Sequence, residues 1–107
     1  MRMSNPPSPE SELLQELLDP LLEDFRYWFG RSRDLLELQK LSFLSDAEQS
    51  SLLSRVKDAL KEVETATVLF NATGKQVGID IAAMKPWHGL LMECQSVGIR
   101  YHQSKTT

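Results

Sequence analysis

The apolar residues of this chain recur at alternating steps of four and three positions, and this spacing constrains the fold more than any other feature. In the first third of the chain, one series follows these steps and a second repeats every seven residues beside it. Residues three and four apart lie on one side of an α-helix, so the spacing predicts a helix whose apolar face packs into a core. The first series is Leu14, Leu18, Leu21, Phe25, Trp28, Ser32 and Leu35, and the second is Leu22, Phe29 and Leu36.

The start of this first helix has two interpretations. Ser8 offers an N-cap and Pro9 fits the first helical position, after a polar segment at 1–7 that we predict to be disordered. Pro20 lies inside the apolar pattern, where proline removes a backbone donor and clashes with the preceding turn. Either one long helix kinks near 16–20, or a short helix at 9–18 precedes another at 20–40. The unbroken spacing favours the kinked helix.

A second helix is predicted by its start signal, its apolar spacing and its stop signal. Ser45 followed by Glu48 is a capping box, and Gly74 suits the end of the helix. Between them, steps of four and three again predict one buried face. That face carries Leu52, Val56, Ala59, Val63, Ala66 and Phe70.

The remaining sequence predicts a loop at 74–79 and a third helix. Asp80 can cap a short turn, and Pro86 marks a start or a kink. The apolar face of the third helix is Trp87, Leu90, Leu91, Cys94, Val97 and Tyr101. We therefore predict an all-α, antiparallel three-helix bundle with a proline-kinked first helix. One domain spans 8–103 and a frayed tail spans 104–107, and the broad apolar faces favour a homodimer that closes a larger bundle.

Composition narrows the function classes. The chain has 107 residues and a formal net charge of -3, which argues against nucleic acid as a partner. Its one cysteine, Cys94, excludes an internal disulfide and favours a reducing compartment. Since no apolar run reaches the roughly 20 residues of a membrane-spanning helix, we expect a cytoplasmic protein without an integral membrane segment.

Charge is distributed unevenly along the chain. Residues 1–24 carry a net charge of -5, whereas residues 25–40 carry +2. Residues 41–74 carry -2 and residues 75–107 carry +2. Opposite signs within one small protein suit head-to-tail contacts, or a partner with a charge pattern of its own.

The sequence offers little for catalysis or metal binding. The reactive residue types cluster only around His88, Glu93, Cys94 and His102. His88 and Cys94 are six positions apart and point about 120° away from each other on a helix, and the spacing of three or four that zinc ligands use on a helix does not occur. We therefore predict no enzyme activity, no metal site and no cofactor.

Two surfaces are candidates for docking a protein partner. The first is Tyr27 with Gly30, Arg31 and Asp34, because tyrosine and arginine are enriched at interface hot spots and glycine allows close approach. The alternative is an exposed tyrosine with the arginine resting over its ring.

The second surface is Trp87 with His88 at the start of the third helix. Here the alternative is a tryptophan that caps the core beside a solvent-facing histidine. The choice between these readings depends on how far Trp87 is buried.

The chain resembles a family of short uncharacterised cyanobacterial proteins, a domain of unknown function. The resemblance is carried by the run from Leu21 to Phe29 and by five short stretches further along. These are Phe43-Leu44-Ser45, Thr73-Gly74, Val77-Gly78, Pro86-Trp87-His88 and Glu93-Cys94. It implies a cyanobacterial cytosol or thylakoid surface, and a link to photosynthesis through the organism group alone. It implies no activity and no site residues.

The leading hypothesis is a non-enzymatic helical module that binds another protein. The alternative is a carrier for a small ligand or a tetrapyrrole, with an inter-helix pocket lined by Trp87, Cys94 and Phe70. Peripheral membrane attachment through Arg26, Arg31 and Arg33 is disfavoured, because these charges are few and mixed with acids.

Overall fold

The computed structural model describes residues 9–73 and 81–105 and contains three α-helices in that part of the chain. They are α1 (Pro9–Leu38), α2 (Asp46–Ala72) and α3 (Ile81–Lys105). These ranges hold no β-strand, so the all-helical prediction is confirmed. The predictions for residues 1–8, for the loop and caps at 74–80 and for residues 106–107 lie outside the described residues.

α1 continues through Pro20 without a break. The structure therefore agrees with the interpretation of one long helix, and not with that of two shorter helices. Pro20 itself is exposed.

The core face of α1 is rotated from the predicted one. We predicted that Leu21 and Trp28 pack into the core, which is wrong, because they are 40% and 42% exposed. Their neighbours Leu22 and Phe29 are almost fully buried instead. The core face steps through Leu18, Leu22, Phe25, Phe29 and Leu36. Because both members of each neighbouring pair are apolar, the spacing alone did not decide which of them faces inward.

α2 begins at the predicted capping box, which is confirmed. The Ser45 side chain accepts a hydrogen bond from the Glu48 backbone N–H at 3.0 Å. The Glu48 carboxylate in turn accepts one from the Ser45 N–H at 2.8 Å. This bond holds the pKa of Glu48 below its ordinary value. The predicted core positions from Leu52 to Phe70 are buried, apart from Ala66, which is half-buried.

Cross-helix contacts fix the directions of the helices. Arg55 contacts Glu93 and Glu62 contacts Trp87, so α2 and α3 run antiparallel. The Phe25 and Trp87 rings pack edge-to-face at 5.7 Å. With α1 antiparallel to α2 across the short connection at 39–45, α1 and α3 run side by side in the same direction.

Within the residues that the structure describes, none of the helices combines the length and apolarity needed to cross a membrane.

A candidate docking groove between the first and third helices

Two open pockets follow the seam where α1 and α3 run side by side. The first has a volume of about 490 Å³ and lies nearer the start of both helices. The second, about 410 Å³, lies nearer their ends. We call the two pockets, as the first and second part, the α1/α3 groove. The first part is lined by Leu17, Leu18, Leu21, Phe25, Met84, Lys85, His88 and Gly89. The second is lined by Trp28, Arg31, Ser32, Leu35, Leu91, Cys94, Gln95, Gly98, Ile99, Tyr101 and His102.

Large apolar side chains are exposed along this groove. Leu17 is 49% exposed and Ile99 is 58% exposed, and Leu21 and Trp28 lie between them along the seam. Isolated exposed apolar residues are ordinary on a protein surface, but several of them along one groove are typical of an interaction site.

Tyr27 and Arg31 form an ordered cluster with Trp28 at the edge of the groove. Arg31 Nη1 donates a hydrogen bond to the Tyr27 hydroxyl at 2.9 Å, and its guanidinium carbon lies 5.8 Å from the centre of the tyrosine ring. This hydrogen bond raises the pKa of Arg31 above its ordinary value. The Tyr27 ring packs edge-to-face on Trp28 with a centroid separation of 4.9 Å. The arginine-over-tyrosine geometry is therefore present, and Tyr27 contacts both Arg31 and Trp28.

Of the predicted patch, Arg31 lines the groove, whereas Tyr27, Gly30 and Asp34 do not. Asp34 forms an ion pair with Arg33 at 3.2 Å. Among the described residues, a Cβ atom at Gly30 would meet nothing within 4 Å, so their packing does not require a glycine there.

Trp87 and His88 are neighbours in sequence but have different surroundings. Trp87 is only 6% exposed, and its indole N–H donates to the Glu62 carboxylate at 2.9 Å. It therefore packs in the core, the alternative considered for it, and the groove surface does not include it. His88 is exposed and lines the first part of the α1/α3 groove. Arg31 and His88, from the two separate candidate surfaces, thus line different parts of the groove.

Cys94 lies beneath the second part of the groove and is buried. Burial raises the pKa of its thiol, and a hydrogen bond with Ser32 partly offsets that rise. The thiol therefore stays protonated near neutral pH and is a poor nucleophile. Of the three residues predicted to line a carrier pocket, Phe70 and Trp87 are buried in the core and only Cys94 lines this groove.

The comparison with known families gives a match over residues 8–103 to a protein of unknown function (DUF2605). The chain belongs to the DUF2605 family. No curated protein and no solved structure matches it. The family description names no activity, so any role for the groove has to be argued from its residues.

A second groove, of about 540 Å³, lies between α2 and α3 around Arg55. The Arg55 guanidinium donates two hydrogen bonds to the Glu93 carboxylate, at 2.8 and 3.1 Å. These bonds lower the pKa of Glu93 and raise that of Arg55. Because the glutamate neutralises the arginine, this groove has no excess positive charge with which to hold an anion.

Metal binding finds no support in the same region. Among the residues that the structure describes, no three His, Cys, Asp or Glu side chains are grouped as metal ligands would be.

The structure also reveals a row of residues that sequence reasoning missed. It runs along the outer edge of α1 in steps of four and three, from Leu17 to Leu38, which is 78% exposed. We call this row the outer seam. Its members are Leu17, Leu21, Asp24, Trp28, Arg31, Leu35 and Leu38. The seven-residue spacing could have revealed it, but three of its members, Leu21, Trp28 and Leu35, had been assigned to the core and two others are charged.

Proposed function

We propose that this chain is a non-enzymatic protein–protein interaction module that docks its partner in the α1/α3 groove. The observation that carries the proposal is the exposure of Trp28 beside Tyr27 and Arg31 at the edge of the groove. Tryptophan, tyrosine and arginine are the residue types that contribute most to binding at protein interfaces.

The arrangement of these side chains supports docking. Tyr27, Trp28 and Arg31 already restrain one another through a hydrogen bond and a ring contact, so binding loses less side-chain entropy at this point. Full burial of a large apolar side chain contributes about 1.5–3 kcal/mol. Trp28 and the adjoining leucines therefore provide a substantial driving force for association.

Site-specific photo-crosslinking in cells tests this proposal. A photoreactive amino acid replaces Ile99 at the edge of the groove, and in a control it replaces Val68 on α2, which is 65% exposed. We expect covalent adducts from position 99 and far fewer from position 68, because only the first faces a docked protein. Equal yields at both positions, or none at position 99, would contradict the proposal.

We propose that the module works in a cyanobacterial cell, in the cytoplasm or at the thylakoid surface, in a process linked to photosynthesis. The support is the resemblance carried by Leu21 to Phe29 and by Pro86-Trp87-His88. Fractionation of cyanobacterial cells, with the native chain detected by antibody, tests the location. Recovery in neither the cytoplasmic nor the thylakoid fraction would count against it.

We also propose that Pro20 bends α1. The support is that Pro20 lies inside α1, since proline lacks the backbone N–H and its ring clashes with the carbonyl four residues earlier in a straight helix. Residual dipolar couplings of the amides at 10–19 and 21–38 test this, because a straight helix gives one axis for both segments. A common axis would show that the helix is unbent.

A carrier for a small ligand or a tetrapyrrole is the alternative function, favoured by the apolar lining of the groove above Cys94. A pigment carrier purified from native cells would absorb at longer wavelengths than the aromatic side chains do. We expect none for an interaction module, whereas bound pigment would favour the carrier.

A further inference from the structure

We infer that the partner in the α1/α3 groove is a second copy of this chain, packed so that the two outer seams run antiparallel about a two-fold axis at Trp28. The inference rests on the proposed function and identifies the partner. It is carried by the order of residues along the outer seam.

The outer seam can pair with the same seam of a second copy that runs in the opposite direction. Read from either end, it presents two leucines, a charged residue and then Trp28 at the centre. The two charged residues have opposite signs, Asp24 before the tryptophan and Arg31 after it. When two copies align antiparallel, Asp24 of each copy lies opposite Arg31 of the other, because 24 and 31 are placed almost symmetrically about 28.

The apolar members of the seam match in the same alignment. Leu17 lies opposite Leu38 of the second copy, and Leu21 lies opposite Leu35. Trp28 meets its own counterpart on the axis. Two-fold interfaces require this kind of self-complementary surface, in which residue i contacts residue j and j contacts i.

A parallel alignment of the same seams is disfavoured. It would bring Asp24 against Asp24 and Arg31 against Arg31, and like charges in direct opposition repel. The charge of the whole helix agrees with the antiparallel choice. Residues 25–40, with a net charge of +2, would lie beside residues 16–31, whose net charge is -2.

The surface along α3 widens the contact. Met92 and Ile99 are exposed apolar residues of α3, and Ile99 lines the groove beside the outer seam. A seam of this length spans about 32 Å at 1.5 Å per residue. With a width of two helices, about 20 Å, the strip covers on the order of 600 Å². That approaches the roughly 800 Å² per partner of a standard interface.

Charge reversal tests the alignment. D24R places arginine against Arg31 at both symmetric contacts, and R31D places aspartate against Asp24. Turning two attractions into two repulsions weakens the dimer by about 30-fold, at about 1 kcal/mol for each contact. Sedimentation equilibrium of the purified full chain measures the dissociation constant. E23R and R26D are the matched controls, because they change the net charge equally at exposed positions outside the outer seam.

Recombining the reversed charges makes the test specific. Mixed in equal amounts, D24R and R31D pair opposite charges at both contacts, so we expect a heterodimer of near wild-type affinity. The double variant D24R/R31D should also recover the dimer. Circular dichroism of each variant checks that the helices are intact. Because both substituted positions are exposed, the helical signal should not change.

The possible results separate this inference from the proposed function. If the wild-type chain stays monomeric at 100 µM while position 99 crosslinks to a different protein, the partner is not a second copy. The proposal of docking in the groove then still holds. A dimer that D24R and R31D weaken no more than the control variants overturns the antiparallel alignment. A monomer without adducts from position 99 overturns both.

Discussion

The side-chain amide of Gln49 connects the end of α1 to the start of α2. Its Nε2 donates to the Leu36 carbonyl at 2.9 Å and to the Gln39 carbonyl at 2.7 Å. Its Oε1 accepts from the Leu41 N–H at 3.1 Å. The last carbonyls of a helix have no partner within the helix, so this buried amide serves as a cap supplied by the next helix.

Replacing Gln49 by leucine should therefore destabilise the protein. We expect Q49L to lower the free energy of unfolding by roughly 2–3 kcal/mol, because buried backbone groups lose their partners. Urea denaturation followed by circular dichroism measures the change. S50A, at the adjacent exposed position, is the control and should shift the free energy by less than about 0.5 kcal/mol. Equal midpoints for Q49L and S50A would show that the amide bonds contribute little.

The thiol of Cys94 should react slowly in the native protein. It is buried and its pKa is raised by that burial, so labelling by a thiol reagent needs a local opening of the structure. We expect the native rate to be at least about 100-fold below the rate in denaturant. A native rate close to the denatured one would show an accessible thiol and would favour covalent attachment of a ligand.

At the scale of helices, the ion pair between Arg55 of α2 and Glu93 of α3 makes stability depend on pH. The folded-state pKa of Glu93 is lowered, so its contribution is present above the unfolded-state pKa and is lost as pH falls through the folded-state value. E93Q should reduce the free energy of unfolding by about 0.5 kcal/mol at pH 7, because solvent screens an exposed pair.

The difference between E93Q and the wild type should shrink as pH falls through the lowered folded-state pKa of Glu93, because the protonated side chain no longer pairs with Arg55. Thermal melts at pH 7 and pH 3 measure it. E64Q is a matched control on α2, because Glu64 has no ion pair among the described residues. If E93Q destabilised the protein as much at pH 3 as at pH 7, the ion pair with Arg55 would not be the cause.

The sequence predicts individual helices better than it predicts their rotation about their axes. The start of α2 depends on Ser45 and Glu48, which act within one turn, so local signals were sufficient. The inward face of α1 depends on which member of each apolar pair meets the other helices, and that contact is made only in the folded bundle. Trp28 was assigned to the core for this reason.

The candidate site also combines features that local sequence predicts with features that only the folded bundle determines. Tyr27 and Arg31 lie one turn apart and could be paired from sequence. Trp87 depends on Glu62, which is 25 residues away, so sequence spacing could not decide between a core and a surface position. The groove itself exists only where α1 and α3 lie side by side, and no local pattern predicts it.

At the scale of the whole molecule, the fold is long and thin, with extents of 64 × 22 × 19 Å. Its radius of gyration is 17.3 Å, whereas a compact domain of this length has about 13 Å. An elongated three-helix bundle encloses little core for each residue, and part of its exposed apolar surface lies along the α1/α3 groove, at Leu17, Leu21, Trp28 and Ile99. Association through that groove would therefore contribute a large share of the stability.

The melting temperature of the protein should therefore depend on its concentration. When only the folded dimer buries the groove, mass action stabilises it as concentration rises. We expect the wild-type melting temperature to rise by several degrees between 1 and 100 µM, since 1 kcal/mol corresponds to about 4–8 °C in a domain of this size. D24R should show a clearly smaller rise across that range, while E23R should follow the wild type. Differential scanning calorimetry makes the comparison, and a wild-type melting temperature that stays constant would show that the monomer is stable without a second copy.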